Sequence, residues 1–307
     1  TYTCICIIEK NCSEEIYYRK LENLTELDSI KYFKISYDSM DHLGGWNLNN
    51  ISIVSKIEKI GVPLKDLYKV NNGIATLKNN IYIIDYISED KNNYILSCGS
   101  KVEKNICADI INPNKLIDIS NINELKKKII FPYKYDKNIA KIISLVEFQK
   151  KYPNAYLYLL KHKDDLAKRD KGKREYEEWY AYGRRQGMVK HKYQLFFPHI
   201  SPKIPNYVLS EQRDLLFHNG LAILSNERES LEILKVLMSS RLFWFYVINT
   251  SKPYGSGYFS FSRNYIKSFG IYEFNDEQKE FLMNEVDKDK LDKFIEGLYE
   301  INLDSVM

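Results

Sequence analysis

The alternation of apolar and polar positions predicts short strands through the first half of the chain. Residues 1–8 form an alternating, β-branched run that ends at a polar stop, and residues 32–37, 81–87 and 94–97 have strand composition. Asn–Gly, Asn–Asn and Gly–Gly pairs, which favour turns, separate these runs. Residues 12–27 are compatible with a short helix or with a polar linker. We therefore expect a mixed region of short strands in this half.

A helical spacing of apolar positions appears further along the chain. A proline suited to a first helical turn precedes apolar side chains at i, i+3, i+4 and i+7, which predicts a helix over residues 153–169. Residues 226–249 begin with a capping-box variant, Asn226 and Glu229, and are apolar on nearly all sides. We expect this helix to be the buried core of its domain. Residues 276–303 carry two amphipathic segments with a solvated charged face.

Together these patterns predict the α+β class, with helices packed on a short-strand mixed β region and a C-terminal helical segment. The chain opens on Thr inside a strand, so residues 1–10 are expected to be the end of a preceding part of a longer chain. The remaining divisions follow the changes in pattern. They are a linker or short helix at 11–30, a main domain at 31–275 with halves of about 31–135 and 136–275, and a helical segment at 276–307.

The charge balance makes any basic surface a local one. The 307 residues are 44% hydrophobic, enough for a sizeable core and more than one domain. Lys and Arg total 45 against 41 Asp and Glu, a net charge of +4, which argues against a polycationic nucleic-acid coat protein. Residues 161–192 contain eleven basic and six acidic side chains, a local excess of 11 − 6 = +5. This basic stretch is where we expect contact with an anionic partner.

Cysteine usage and hydropathy indicate a cytoplasmic protein with no membrane partner. The five cysteines include no CxxC pair, and no histidine lies at a zinc-like spacing from them. No apolar run approaches the roughly 18 residues of a membrane span, and no signal peptide precedes the first strand. We predict reduced thiols, with no disulfide framework and no structural metal.

Residues 179–187 concentrate the side chains that proteins use to grip nucleic acid. Arg184 and Arg185 offer planar donor forks for phosphate or for guanine O6 and N7, and Gln186 can pair with adenine. By residue type alone, a salt-bridged or stacked surface turn is the simpler alternative. In that case Arg185 would pair with Glu177 or Glu178.

Several short motifs follow one another in a set order along the chain. They are Asn-Gly-Ile-Ala-Thr at 72–76, Tyr-Pro-Asn at 152–154, the 179–186 run, Phe-Pro-His-Ile at 197–200, Met-Ser-Ser-Arg-Leu at 238–242, Tyr-Gly-Ser-Gly-Tyr at 254–258 and a closing helix at 291–299. This series resembles the C-terminal target-recognition domain of adenine-N6 DNA methyltransferases of the TaqI and Eco57I kind. The resemblance spans nearly the whole chain, identifies residues 31–275 with that domain, and implies that residues 1–10 are the last strand of a preceding α/β methyltransferase domain.

The resemblance implies a reaction whose machinery is missing from these residues. The family transfers a methyl group from S-adenosylmethionine to N6 of a flipped-out adenine, using an Asn-Pro-Pro-Tyr or Asp-Pro-Pro-Tyr loop. The nearest tetrapeptide, residues 112–115, lacks the second proline and the aromatic and is interpreted as a simple turn. Gly-Ser-Gly at 255–257 follows a helix rather than joining a strand to one. We assign no catalytic, cofactor-binding or metal-binding residue, and expect a preceding methyltransferase domain to bind S-adenosylmethionine.

Other chemistries find weaker support in the sequence. Asp85 with Glu89 and Lys91 superficially fits a metal-dependent nuclease motif, but the first acid lies too close, and a solvated loop is favoured. The five histidines form no ligand pair on a helix face. We expect His199 and His218 to be structural or to contact phosphate rather than to be catalytic.

The predicted function is sequence-specific recognition of double-stranded DNA, with basic side chains on phosphates and loop side chains on base edges. The predicted contacts in the basic stretch are Tyr182, Arg184, Arg185, Gln186, Lys190 and Lys192. Those in the glycine-containing segment are Tyr254, Ser256, Tyr258 and Arg263, and those of the first half are Asn72, Thr76 and Lys78. Trp179 is expected in the core, whereas Tyr254 and Tyr258 suit core and contact equally.

The expected partners are double-stranded DNA and the preceding methyltransferase domain, in a monomer that is nucleoid-associated when it binds DNA. One alternative is a stand-alone, non-enzymatic DNA-specificity subunit of a restriction-modification system, although those subunits carry two similar units and this chain has no internal repeat. A second alternative is an RNA-binding or structural adaptor domain.

Overall fold

A computed structural model describes residues 5–10, 13–19, 21, 31–40, 48, 50–184 and 186–305. Short strands and short helices alternate through these ranges, and the strands pair into several small sheets. This arrangement confirms the predicted α+β class.

The first part of the chain contributes most of the strands. Its elements are β1 (Glu15–Tyr18), β2 (Phe33–Ser36), α1 (Ile51–Lys59), β3 (Val62–Pro63), α2 (Leu64–Leu67), β4 (Val70–Asn72), α3 (Asn79–Tyr82), β5 (Ile83–Ile84), β6 (Tyr86–Glu89), β7 (Asn93–Leu96), β8 (Lys101–Glu103), β9 (Cys107–Ile111), β10 (Lys127–Ile130), β11 (Tyr133–Asp136) and β12 (Ile139–Ile142).

The second part contributes the longer helices. Its elements are α4 (Leu145–Lys151), α5 (Pro153–Lys161), α6 (Lys163–Ala167), β13 (Tyr193–Pro198), β14 (Ile200–Ser201), β15 (Val208–Ser210), β16 (Leu216–Phe217), β17 (Gly220–Ser225), α7 (Arg228–Met238), α8 (Arg241–Thr250), β18 (Pro253–Tyr254), β19 (Tyr258–Ser260), α9 (Arg263–Ile266), β20 (Gly270–Ile271), α10 (Asp276–Asn284) and α11 (Lys288–Leu298).

Two four-stranded sheets organise the molecule. The central sheet has the order β15-β13-β17-β4, and all of its pairs are antiparallel. The second sheet has the order β16-β9-β10-β5, in which β16 and β9 run parallel. Because β16 belongs to one sheet and β17 to the other, the intervening residues His218 and Asn219 carry the chain between the sheets.

Each sheet supports its own hydrophobic core, and each core draws on both halves of the chain. One core joins α7, α8 and α11 to β13 and β17, and it also takes Val54 and Ile57 from α1. The other joins β5, β9 and β10 to α4 and α5 and to Tyr180 and Tyr182. The expected boundary near residue 135 therefore does not separate the two cores.

The C-terminal helices belong to the first core. The carboxylate of Asp292 accepts a hydrogen bond from the backbone N–H of Arg241 at 2.7 Å, at the start of α8. The Arg241 guanidinium donates to Glu296 and Asp304, each at 2.8 Å. The motif at 238–242 therefore serves to dock α11 against α8, and Tyr299 completes the contact by donating to the Gly270 carbonyl at 2.7 Å.

Both long helices predicted from the sequence are broken. The helix expected at 153–169 divides at His162 into α5 and α6. The one expected at 226–249 divides because Ser240 turns out of the helix and its hydroxyl oxygen accepts from the N–H of Phe243, which starts α8. The predicted capping box is also wrong: Glu227 is the N-cap of α7, and Asn226 accepts from the N–H of Lys192.

The predicted strands are partly confirmed. β2 lies within 32–37 and β7 overlaps 94–97, whereas 81–87 begins with the last residues of α3 before β5 and β6. In place of the helix or linker at 11–30, the described residues there contain β1, which pairs with β2. Residues 1–4 lie outside the described ranges, and residues 5–10 form no strand and leave three Ile side chains 85–90% exposed. A β-strand is stabilised by hydrogen bonds to a neighbouring strand, and none of the described strands pairs with residues 5–10.

Candidate nucleic-acid interface

Two loops from distant parts of the chain interlock at the surface. The Arg184 N–H donates to the Ala75 carbonyl at 2.9 Å, and the Gly183 N–H donates to the Thr76 carbonyl at 3.1 Å. Gly187 has a φ of 72° and lies so close that an added Cβ would be 2.7 Å from the carbonyl carbon of Gly73. We call residues 72–79 and 183–187 the paired loops. Glycine is required at 187 because no side chain fits between these backbones, and a Cβ at Gly183 would meet the side chain of Leu77.

A buried arginine supports the paired loops from inside. Arg169 is 2% exposed, and its guanidinium donates to the carbonyls of Leu166 and Trp179, each at 2.6 Å, and to that of Ala181. Its charge is thus solvated by carbonyl dipoles rather than by a carboxylate. Trp179 is half-buried and packs against the same core, in line with its expected place.

Arg184 is held by a carboxylate fourteen residues earlier. Its guanidinium donates to both oxygens of Asp170, at 2.6 and 2.9 Å, and the Tyr176 hydroxyl donates to the same carboxylate at 3.0 Å. The salt-bridged alternative therefore describes Arg184 in this structure. Arg185 lies outside the described residues, while Glu178, one partner considered for it, accepts from the N–H of Leu145 at 3.1 Å.

The Asp170 pair predicts a pH dependence. The hydrogen bonds from Arg184 lower the pKa of Asp170 to about 2, below the roughly 3.9 of a free aspartate. Because the folded pKa is depressed, the pair stabilises the fold above about pH 4 and is lost as pH falls through about 2. We expect an Asp170→Asn variant to lack this part of the acid unfolding seen in the wild type by circular dichroism. If the two proteins unfold identically as the pH falls from about 4 to about 2, the pairing of Asp170 with Arg184 is contradicted.

Two of the predicted contact residues are inside the molecule. Tyr182 is 3% exposed, its hydroxyl donates to the Ile130 carbonyl at 2.5 Å, and its N–H donates to the Tyr133 hydroxyl at 2.6 Å. Thr76 is fully buried, and its hydroxyl donates to Oδ1 of Asn79 at 2.6 Å. The prediction that Tyr182 and Thr76 contact DNA at the surface is therefore wrong. Both side chains are buried and stabilise the paired loops from the interior.

The other predicted residues of the paired loops remain accessible. Gln186 and Asn72 are exposed, and Lys78 is half-buried. The amide nitrogen of Gln186 donates to the Gly73 carbonyl at 3.1 Å, which holds the side chain in place and leaves its amide oxygen as an acceptor.

Lys190 and Lys192 lie at the opposite end of the central sheet. Asn72 pairs with Leu221 and Pro198 with Gly220 at one end, whereas Tyr193, next to Lys192, pairs with Ser225 at the other. The five residue-to-residue steps from Tyr193 to Pro198 separate these ends by about 17 Å. Lys190 pairs with Asp214 and lies 4.1 Å from the ring centroid of Tyr135, and Lys192 lies 5.0 Å from that of Tyr193. The basic stretch is therefore divided between two places.

The glycine-containing segment is a hairpin attached to the same end as Asn72. β19 pairs with both β18 and β14, and β14 begins two residues after Pro198 ends β13. Tyr254 is 41% exposed, Ser256 is exposed in the left-handed region at φ 64°, and Tyr258 is half-buried. Arg263 is exposed at the start of α9. This hairpin and the paired loops are brought to one end of the central sheet.

The crossover between the two sheets, His218 and Asn219, lies at this end too. The ring of His218 contacts Asn79, with 3.2 Å between its Nδ1 and the Asn79 amide nitrogen. Burial lowers the pKa of His218. Asn114 follows the first residue of a 3-10 turn, Pro113–Ile117, and accepts from the N–H of His199 at 2.8 Å. The 112–115 segment is thus a turn, as expected, and it supports the end of β13.

The described residues offer little for other chemistry. No group of three or more His, Cys, Asp or Glu is arranged there to hold a metal ion. Among the described residues, Cys6, Cys98 and Cys107 form no disulfide. Among the helices in this part of the chain, none is both long and apolar enough to cross a membrane.

Comparison with solved structures shows a likeness in fold. No family model and no curated protein match the chain. The fold is similar to part of MmeI, a Type IIL restriction-modification enzyme solved in complex with DNA. The similarity covers 78% of this chain with a TM-score of 0.54 and 10% sequence identity. The chain spans 34% of the MmeI chain, so the likeness concerns the fold of one portion of that enzyme.

Proposed function

We propose that this chain recognises double-stranded DNA as the target-recognition part of a site-specific adenine-N6 methyltransferase of a restriction-modification system. Its fold is shared with part of MmeI, whose structure was determined on DNA. S-adenosylmethionine and the flipped adenine would be bound by a methyltransferase domain that precedes residue 1. Residues of this chain would position the duplex for that domain.

One observation carries the proposal: beside the paired loops, three exposed cations stand without a carboxylate partner among the described residues. Lys171, Lys173 and Arg174 are exposed, and no ion pair within the described ranges includes any of them. Asp170 and Lys171 both have left-handed backbones, with φ of 49° and 59°, so the loop turns sharply there. Asp170 also binds Arg184, which places this cationic loop against the paired loops. Cations of this kind on a surface attract phosphates.

The two kinds of residue have different tasks in this proposal. Lys171, Lys173 and Arg174 neutralise phosphates and set the register of the duplex, which carries no sequence information. Gln186 and Asn72 present exposed amides that can read base edges, with adenine as their best geometric match. The hairpin with Tyr254 supplies a second contact at the same end of the sheet.

A salt series tests the proposal. We expect the chain to bind duplex DNA more tightly than single-stranded DNA or RNA, with affinity that falls steeply as salt rises. Replacing Lys171, Lys173 and Arg174 together by alanine should reduce the slope of log K against log salt by about 2.7, or about 0.9 for each phosphate that is no longer neutralised. Fluorescence anisotropy with labelled oligonucleotides measures both quantities.

A matched variant separates the effect of place from that of charge. Lys235, Lys288 and Lys293 are exposed on α7 and α11, and their triple alanine variant removes the same charge outside the candidate interface. Its slope should stay near that of the wild type. Equal slopes for both triple variants would overturn the proposed interface, and preferential binding of RNA would favour the RNA-binding alternative.

A further inference from the structure

The crossover between the two sheets carries a chain of hydrogen bonds that fixes the state of one histidine. The Lys78 N–H donates to the Thr76 hydroxyl oxygen at 3.0 Å, and the same hydroxyl donates to Oδ1 of Asn79 at 2.6 Å. The Asn79 amide therefore turns its nitrogen toward His218, whose Nδ1 lies 3.2 Å away. An amide nitrogen can donate but cannot accept. Nδ1 of His218 must accept, and the ring proton resides on Nε2.

The surroundings of the His218 ring favour its neutral form and carry positive charge from two nearby lysines. Burial lowers the pKa of His218, contact with the Asn219 side chain opposes that shift, and the charges of Lys127 and Lys115 lower it further. A neutral imidazole with a fixed Nε2–H is a hydrogen-bond donor at neutral pH. Both lysines are exposed. The strand pairing places Lys127 opposite Ile110, and the His218 N–H donates to the carbonyl of the next residue, Ile111, at 3.0 Å. Lys115 belongs to the 3-10 turn whose Pro113 lies against Gly220, two residues after His218. Lys127 pairs with Asp85 at 2.8 Å, but the two side chains are 48% and 82% exposed, so a ligand can displace this pair at little cost.

We propose that His218, Lys115 and Lys127 form a binding site for a phosphate group of the DNA backbone, with Nε2–H of His218 donating to a phosphate oxygen. This inference rests on the proposed function and names a contact that function requires. Two cations around a neutral donor suit an anionic group better than a base edge, because base edges carry no net charge. Asn219 is exposed, so the phosphate can take over its place at the ring. The His218–Asn219 crossover would thereby seat the duplex where the two sheets meet.

Affinity and salt dependence distinguish the members of this site. His218→Ala should weaken the binding of two duplexes of unrelated sequence equally, by about tenfold, because one charge-assisted hydrogen bond is removed. The slope of log K against log salt should not change, since His218 is neutral. Replacing Lys115 and Lys127 together by alanine should lower that slope by about 1.8. His162→Ala, a half-buried histidine at the end of α5, is the matched control and should bind as the wild type does.

Two further measurements keep the inference separate from the proposed function. Inorganic phosphate should shift the His218 ring resonances in the wild type but not in the double lysine variant, whether or not the chain binds DNA. Thr76→Val, which removes the hydroxyl that orients Asn79, should give a mixture of His218 tautomers in ¹⁵N spectra. Wild-type affinity in His218→Ala, a loss confined to one base position, or unmoved resonances with phosphate would each overturn the phosphate site. Failure of every duplex to bind, with the phosphate shift intact, would overturn the proposed function alone.

Discussion

Replacing Arg169 by alanine is expected to lower the free energy of unfolding by about 4 kcal/mol. The substitution leaves the carbonyls of Leu166, Trp179 and Ala181, which now accept from the guanidinium, without this partner in the interior. It also opens a cavity below the run at 179–182. Urea unfolding at neutral pH, followed by circular dichroism, measures the change as a shift in midpoint with a constant slope.

Arg174→Ala is the matched control for this change. Arg174 lies five residues later, is exposed and makes no ion pair among the described residues. Its loss should change the free energy of unfolding by less than about 0.5 kcal/mol, yet it should weaken DNA binding. The two variants would then distinguish a residue that stabilises the loop, Arg169, from one that contacts DNA, Arg174. A loss of stability below about 1 kcal/mol in Arg169→Ala would contradict the supporting role.

Replacing Gly187 by alanine is expected to cost about 3 kcal/mol and to weaken DNA binding at the same time. Alanine is strained at a φ of 72°, and its Cβ would come within 2.7 to 2.9 Å of the backbone atoms of three residues, Asn72, Gly73 and Ile74. Backbone cannot move aside as a flexible side chain can. The paired loops must therefore separate, which displaces Gln186 and Arg184 together.

Gly255→Ala provides the comparison on the hairpin. An added Cβ at Gly255 has no heavy atom within 4 Å, and its backbone lies outside the left-handed region. This variant should unfold at the wild-type melting temperature. Thermal unfolding and duplex binding of both variants test the interlock, and equal stabilities of the two would show that the paired loops do not depend on contact at Gly187.

Local patterns predicted what depends on near neighbours in the chain. The strands at β2 and β7, the two amphipathic C-terminal segments and the turn at 112–115 follow from alternation, helical spacing and turn-forming residues. The breaks at His162 and Ser240 were missed because apolar spacing continues through both. At Ser240, a side-chain cap decides where one helix ends and the next begins.

Contacts between distant residues account for the misplaced site residues. Tyr182 has the composition of a nucleic-acid contact, but the Ile130 carbonyl and the Tyr133 hydroxyl, about fifty residues earlier, hold it inside. Arg184 pairs with Asp170, fourteen residues earlier, because the loop that contains Asp170 folds back on the paired loops. Neither partner is marked by spacing or composition.

By itself, the sequence determined the α+β class, the absence of a recognisable methyltransferase motif from these residues and the stretch where basic side chains accumulate. These depend on residue type and local order, which the chain carries wherever it folds. The tertiary structure alone decided that Lys192 adjoins the end of the central sheet opposite to Asn72, that Arg169 is a buried support, and that His218 contacts Asn79. Strand pairing and core packing bring together or separate residues that are distant in the chain, and no local pattern encodes that.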